Sequence, residues 1–138
     1  MMVDDFKQTF IEEASELLTD LEISLLDLEK KPGDSYLIAK VFRSLHTIKG
    51  SSRMFGYPNI SEFTHGIESL FHHVRNGEIQ ITKDIIDLTL LARDQIAIML
   101  IADISERQQK HALEKEILGA IRNYLPEYNS GIKNNRTN

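Results

Sequence analysis

The residue types best suited to chemistry lie around one histidine in the segment FRSLHTIKGSSRMFGY, which spans Phe42 to Tyr57. His46 is followed three residues later by Lys49 and four residues later by Gly50. In a helix, these spacings place residues on adjoining parts of one surface. A neutral imidazole is a nucleophile near pH 7, and a lysine can offset the charge of a phosphoryl group. These residue types make His46 a candidate for phosphoryl transfer.

Helices are the elements that must position this histidine. Apolar residues recur every three or four positions over long stretches, with Pro and Gly clustered between them, which is the pattern of amphipathic helices. The first two predicted helices run from about Asp4 to Lys30, and from a cap at Asp34 or Ser35 to a break at Gly56 to Pro58. The third runs from a cap at Asn59 or Ser61 to Asn76-Gly77, and the fourth from a cap at Thr82 to Ile104. A polar break at Ser105 to Lys110 precedes a shorter fifth helix, which is closed by Pro126.

Short connections between successive helices imply antiparallel neighbours. The expected fold is all-α, an antiparallel up-down four-helix bundle with an additional C-terminal helix. Residues 1–125 are assigned to this domain and residues 126–138 to a linker or disordered tail. The apolar stripes predicted to form the core include Phe6, Phe42, Leu91 and Leu113, one on each of four helices.

Helical geometry predicts that a carboxylate lies beside the histidine. At about 100° per residue, His46 lies about 100° from Leu45, the centre of the apolar stripe on the second helix. Glu68 lies about 100° from Ile67, the corresponding centre on the third helix, with the same sign of rotation. Flanks of the same sign meet at one edge of an antiparallel helix pair. We therefore expect His46 and Glu68 to share an edge.

The heights of these residues along the helical hairpin also agree. His46 and Glu68 are each 11 residues from Tyr57, and Lys49 and His65 are each 8 residues from it. Because a helix rises about 1.5 Å per residue, each pair should be level. A carboxylate on one ring nitrogen would orient the imidazole for attack through the other nitrogen, while Lys49 offsets charge on the phosphoryl oxygens. The bundle need only position these groups.

Other interpretations of the same residues stay open. A single His, Lys or Glu on a helix flank is usually a solvated surface residue, so a non-catalytic helical module that docks another protein is the alternative interpretation. The overlapping faces of His65, Glu68 and His72 raise a ferritin-like metal site as a third alternative. Closed metal sites need three or four convergent ligands, and the other helices offer no inward pair of Glu-x-x-His motifs. No metal is therefore expected.

The composition excludes several classes of protein. With 21 acidic and 16 basic residues mixed along 138 positions, the net charge of −5 argues against nucleic-acid binding. The N-terminus lacks a secretory signal, and no apolar run approaches the roughly 20 residues that span a bilayer. Without Cys, the chain suits a reducing compartment. We expect a cytoplasmic protein that binds other proteins, and as an isolated domain a monomer.

The segment around His46 closely resembles the phosphorylation-site helix of histidine phosphotransfer domains, whose signature is a His followed three residues later by Lys and then Gly. The segments THGIESLF and NGEIQITKDIIDL resemble the third and fourth helices of the N-terminal phosphotransfer domain of CheA-type chemotaxis kinases. DDFKQTFIEEASELLTDLE resembles their first helix, and the resemblance covers about residues 4 to 124.

This resemblance implies that His46 is phosphorylated, that Glu68 is bonded to its ring, and that Lys49 and His65 tune its reactivity. Gly50 would be the position of close approach. The phosphoryl group would arrive from the ATP-binding domain of a histidine kinase and leave for a response-regulator aspartate. The chain itself would need no cofactor, because the partner kinase domain uses the ATP and Mg²⁺.

The sequence departs from the family pattern at Ser51 to Met54, where Gly and Ala are frequent. Arg53 lies seven residues, or about two turns, beyond His46 on a similar flank. We therefore predict that Arg53 contacts the regulator that binds. Neither kinase dimerisation nor nucleotide-binding segments occur in the sequence, so the chain is expected to be a piece of a larger kinase or a free-standing carrier.

Overall fold

The structure is a computed structural model that describes residues 2–101 and 111–127. Within these ranges it contains five α-helices and no strand. The helices are α1 (Met2–Lys30), α2 (Ser35–Met54), α3 (Pro58–Arg75), α4 (Lys83–Ile101) and α5 (His111–Arg122). The predicted polar break at Ser105 to Lys110 and all but the first two residues of the predicted tail lie outside the described residues. None of the described helices has the length and apolarity needed to cross a bilayer.

The helices form the predicted bundle. α1 packs against α2 and α4, α3 also packs against α2 and α4, and α5 lies against α3 and α4. The predicted four-helix bundle with an additional C-terminal helix is therefore confirmed. The most extensive of these interfaces joins α2 and α3, the two helices that carry the predicted site. One continuous apolar core lies between the helices, so the site is positioned by the same packing that stabilises the domain.

The predicted core is wrong at three positions. Phe6 is 55% exposed, Leu91 47% and Leu113 39%. α1 has 29 residues whereas α2 and α4 have 20 and 19, so the N-terminal turns of α1 extend beyond their neighbours. Leu91 lies about 140° around α4 from the fully buried Ile96, outside the arc that other helices cover. Sequence stripes are thus broader than the buried faces.

A tight turn joins the two helices of the site. Gly56 has a φ of 88°, and the amide of Tyr57 donates to the carbonyl of Ser52 at 2.8 Å, which closes α2 with a Schellman motif. The ring of Phe10 on α1 stacks on Phe55 at 5.2 Å and on Tyr57 at 5.1 Å. The turn is therefore fixed by both its backbone and the core, which sets the relative height of α2 and α3.

Two of the three predicted helix caps are present in the structure, and the third is not. Asp34 accepts from the amide of Leu37 at 3.1 Å, and Thr82 accepts from the amide of Ile85 at 3.2 Å, so both predicted caps are confirmed. The predicted cap of the third helix at Asn59 or Ser61 is wrong. α3 begins at Pro58, whose fixed φ suits the first helical position, where no amide hydrogen is needed.

Candidate functional site

His46 and Glu68 meet at the edge of the interface between α2 and α3. Nδ1 of His46 lies 2.6 Å from Oε2 of Glu68. The His46 side chain is 64% exposed, whereas that of Glu68 is 9% exposed. The predicted shared edge and matching heights are therefore confirmed. The imidazole ring therefore faces solvent at the edge of the α2–α3 interface, and the buried carboxylate holds its Nδ1 side.

The hydrogen bond defines which ring nitrogen is reactive. Burial by itself raises the pKa of the Glu68 carboxyl, but hydrogen bonds and charges from Lys49 and His46 outweigh burial and hold that pKa below its usual value. Glu68 is thus ionised at neutral pH and can only accept, so Nδ1 of His46 carries the hydrogen and donates it. In the neutral imidazole, Nε2 then holds the lone pair. No bond to Nε2 occurs within the described residues.

Lys49 contacts the second oxygen of the same carboxylate. Its Nζ donates to Oε1 of Glu68 at 2.7 Å, and its side chain is 27% exposed. The sequence predicted that Lys49 lies level with His65 and near the histidine, but it did not predict this contact. Because each oxygen of Glu68 has its own donor, the carboxylate is held against rotation. Whether Lys49 also acts on a phosphoryl group stays a prediction.

The other predicted site residues line two clefts on the α2–α3 pair, each of about 260 Å³. His65 is exposed and lines both clefts, one of which also contains Glu68. The second cleft contains Lys49, Gly50 and Arg53. A Cβ added to Gly50 would meet no atom within 4 Å. The structure therefore brings the predicted residues to one face of the α2–α3 pair, and their roles stay predictions.

Phe42 is a member of the site that sequence reasoning assigned only to the core, against which it does pack. Its half-buried ring stacks with the ring of His46 at a centroid distance of 6.1 Å and an interplanar angle of 14°. The guanidinium of Arg75 lies 5.1 Å from the same ring centroid. One signal was available, because Phe42 precedes His46 by four residues and lies on the same flank of α2.

His72, considered above as a metal ligand, and the neighbouring His73 have polar partners other than Glu68. No group of three or more His, Cys, Asp or Glu residues is placed to hold a metal ion in the described part of the chain. His72 contacts Asn76 at 3.2 Å. His73 lies between Glu78, at 2.9 Å, and Glu127, at 3.1 Å. The polar partners of His72 and His73 therefore differ, although their rings lie 5.7 Å apart in an edge-on arrangement.

Comparison with known proteins gives matches in sequence and in fold. The model of the Hpt domain family matches residues 5–128. The chemotaxis protein CheA of Salmonella typhimurium is 38% identical over 122 residues, which are 88% of this chain and 18% of that protein. The CheA phosphotransferase domain from Thermotoga maritima is 36% identical with a TM-score of 0.68, over 70% of this chain and 91% of that one. The phosphorylated P1 domain of CheA3 in complex with CheY6 from R. sphaeroides is 27% identical with a TM-score of 0.73, over 86% and 96%.

The curated relatives are much longer than this chain. It spans 18% of the Salmonella protein, and 10% of the chemotaxis protein CheA of Borreliella burgdorferi, to which it is 41% identical over 91 residues. The likeness therefore concerns one part of each relative. The family match includes every residue of the site described above.

Proposed function

Because the chain belongs to the Hpt domain family, we propose that it is a phosphorelay carrier in two-component chemotaxis signalling. His46 accepts a phosphoryl group from the ATP-binding domain of a histidine kinase and donates it to an aspartate of a response regulator. The observation that carries this proposal is the 2.6 Å bond from Nδ1 of His46 to Glu68, which leaves Nε2 of an exposed ring with its lone pair.

The proposed transfer has two steps, each a displacement at phosphorus. Nε2 of His46 attacks the γ-phosphorus of ATP, the bond from that phosphorus to the β,γ-bridging oxygen breaks, and ADP leaves. The Nδ1 hydrogen stays in its bond to Glu68, whose negative charge stabilises the positive charge that develops on the ring. In the second step an aspartate oxygen of the regulator attacks phosphorus, and the bond to Nε2 breaks. The imidazole returns to its starting form.

The relatives support the choice of partners. One of the matched structures is a phosphorylated P1 domain of CheA3 in complex with CheY6, and the curated relatives are CheA proteins of which this chain spans a small share. We assign the ATP-binding step, with its Mg²⁺, to a separate kinase domain. Arg53 and Gly50 line a cleft together with Lys49 and His65, on the helix that carries His46, and we propose that a regulator approaching Nε2 contacts them there. The isolated domain is proposed to be a cytoplasmic monomer.

Incubation with a CheA-type kinase domain and radiolabelled ATP with Mg²⁺ tests this function. We expect label on the chain that survives base and is lost in acid, which is the stability of a phosphorus–nitrogen bond. Addition of a purified receiver domain should move the label to that receiver. Binding of kinase or receiver without any labelled chain would contradict the proposal and favour a non-catalytic docking module.

Substitution of Gly50 and of Gly119 by Ala should have the same effect on stability but different effects on phosphoryl transfer. Gly50 and Gly119 both lie inside helices with no atom within 4 Å of an added Cβ, so Ala at either position should stabilise the fold by about 0.5–1 kcal/mol. Gly50 lies one turn beyond His46, and a methyl group there should hold the regulator away and slow transfer by about tenfold or more. Gly119→Ala on α5 is the matched control with unchanged transfer. Thermal unfolding and transfer rates measure both effects, and unchanged transfer by Gly50→Ala would remove the proposed role of that position.

A further inference from the structure

The His46 ring is restrained by one hydrogen bond, which by itself does not fix its plane. Nδ1 is held by Oε2 of Glu68 at 2.6 Å, but one bond of fixed length restrains only one combination of the torsions χ1 and χ2, so a coupled rotation about both is still possible. Such rotation moves Nε2, which is the atom that attacks phosphorus. Displacement of a reacting atom by about 1 Å can cost a large factor in rate. A second restraint on the ring would therefore matter for transfer.

Phe42 is placed to supply this restraint. Its ring lies one turn before His46 on α2, nearly parallel to the imidazole at 14°, with centroids 6.1 Å apart. This distance falls within the range in which aromatic rings attract each other. Since 64% of the His46 side chain is exposed, few other groups limit its rotation. A parallel neighbour opposes tilting of the ring, which the bond to Glu68 permits.

Arg75 in turn holds Phe42. Its guanidinium comes from the last turn of α3 and lies 5.1 Å from the Phe42 centroid, within cation–π distance. The His72 ring lies 6.3 Å from Phe42 at an angle of 42°. Phe42 is half buried and packs against the core, and these neighbours on α3 further restrict where its ring lies.

We propose that Phe42, held by Arg75, is a positioning residue that keeps the plane of the His46 imidazole fixed and Nε2 directed at the incoming phosphorus. This inference rests on the proposed function, because it assigns a role in the reaction of that same histidine. Phe42 does not touch the phosphoryl group. It acts through His46 alone, so its effect should appear even when no partner protein is present.

Phosphoramidate is a suitable probe, because it donates a phosphoryl group to imidazole without a kinase. Its phosphorus–nitrogen bond breaks, a bond from phosphorus to Nε2 forms, and ammonia leaves. We expect Phe42→Leu, which keeps apolar volume but removes the ring, to slow phosphorylation of His46 by about three- to tenfold. Phe42→Tyr keeps the ring and should react at the wild-type rate. NMR resolves the rate at each histidine, and the rate at free N-acetylhistidine added to the same sample serves as the internal reference.

The matched control is Leu88→Ala. Leu88 is also a half-buried side chain that packs against the core, but it lies on α4, which packs against α1, α3 and α5. We expect it to reduce the melting temperature without slowing phosphorylation of His46. If Leu88→Ala slowed the reaction as much as Phe42→Leu did, or if Phe42→Tyr failed to restore the rate, positioning by the ring would be refuted.

Arg75→Gln provides a test that leaves the core untouched, since Arg75 is exposed. We expect a reduction of about twofold in the His46 rate, together with a change in the ring-current shift that Phe42 causes at the His46 ring protons. Unchanged rate and shifts would overturn the role of Arg75. Should a cognate kinase fail to label a wild-type chain that phosphoramidate labels normally, the proposed function would fail and this inference would stand.

Discussion

Substitution of His46 by Gln is expected to reduce phosphorylation of the chain by at least about a thousandfold, to background. An amide has no nitrogen lone pair that can attack phosphorus, so no phosphorus–nitrogen bond can form at this position. The fold should be retained, because the His46 side chain is 64% exposed and the bond from Lys49 to Glu68 stays intact. Labelling by a kinase domain with ATP and Mg²⁺, alongside a circular dichroism melt, measures both outcomes.

His111→Gln is the matched control for this substitution. His111 is the first residue of α5, which packs against α3 and α4. It should be labelled as the wild type is. Label that persists on a folded His46→Gln chain would show that another residue accepts the phosphoryl group, and the assignment of the site would then be wrong.

Substitution of Glu68 should have the second largest effect. We expect Glu68→Ala to slow phosphorylation by about 10- to 100-fold, the usual consequence of removing a group that orients a reactive imidazole. Without the carboxylate, the Nδ1 hydrogen has no acceptor, and the ring is no longer held in its orientation. Glu68→Gln should be slowed less, because the amide oxygen still accepts a hydrogen bond but carries no charge. Single-turnover labelling compares both with Glu116→Gln, an exposed glutamate on α5.

The same carboxylate should leave a signature in the pH dependence of stability. The pKa of Glu68 is lowered in the folded state by Lys49 and His46, which outweigh the opposing effect of burial. A lowered pKa means that the ionised group stabilises the fold above the unfolded-state pKa of Glu, and that this contribution is lost as the pH falls through the folded-state value. The wild type should therefore exceed Glu68→Gln in melting temperature at neutral pH and approach it in acid.

A double-mutant cycle decides how Lys49 acts. In the structure its Nζ donates to Glu68 at 2.7 Å, which suggests that it works by holding the carboxylate. In that case Lys49→Gln combined with Glu68→Gln should react no more slowly than Glu68→Gln alone. If the two effects multiply, Lys49 acts on the phosphoryl oxygens independently of Glu68, as the sequence interpretation predicted. Rates equal to wild type in the single Glu68 variants would remove Glu68 from the mechanism.

The sequence was sufficient to predict the pair at the centre of the site. The period of a helix fixes the angle of each residue about its own axis, and a three-residue turn fixes the relative height of two antiparallel helices. Both quantities can be counted for His46 and Glu68, and the structure places these side chains 2.6 Å apart. The bundle followed from the same periodicity, because its helices are long and its connections short.

Only the tertiary structure decided the rest of the arrangement. The donor for the second oxygen of Glu68, Lys49, depends on side-chain rotamers that periodicity does not define. The exposure of Phe6 depends on how far α1 extends beyond its neighbours. Phe42 packs against the core as predicted, but its contact with Arg75, 33 residues later, was not predicted, because counting about one helix axis says nothing of side chains on another helix. Local sequence sets the faces of the helices, whereas packing between helices determines which side chains of those faces meet.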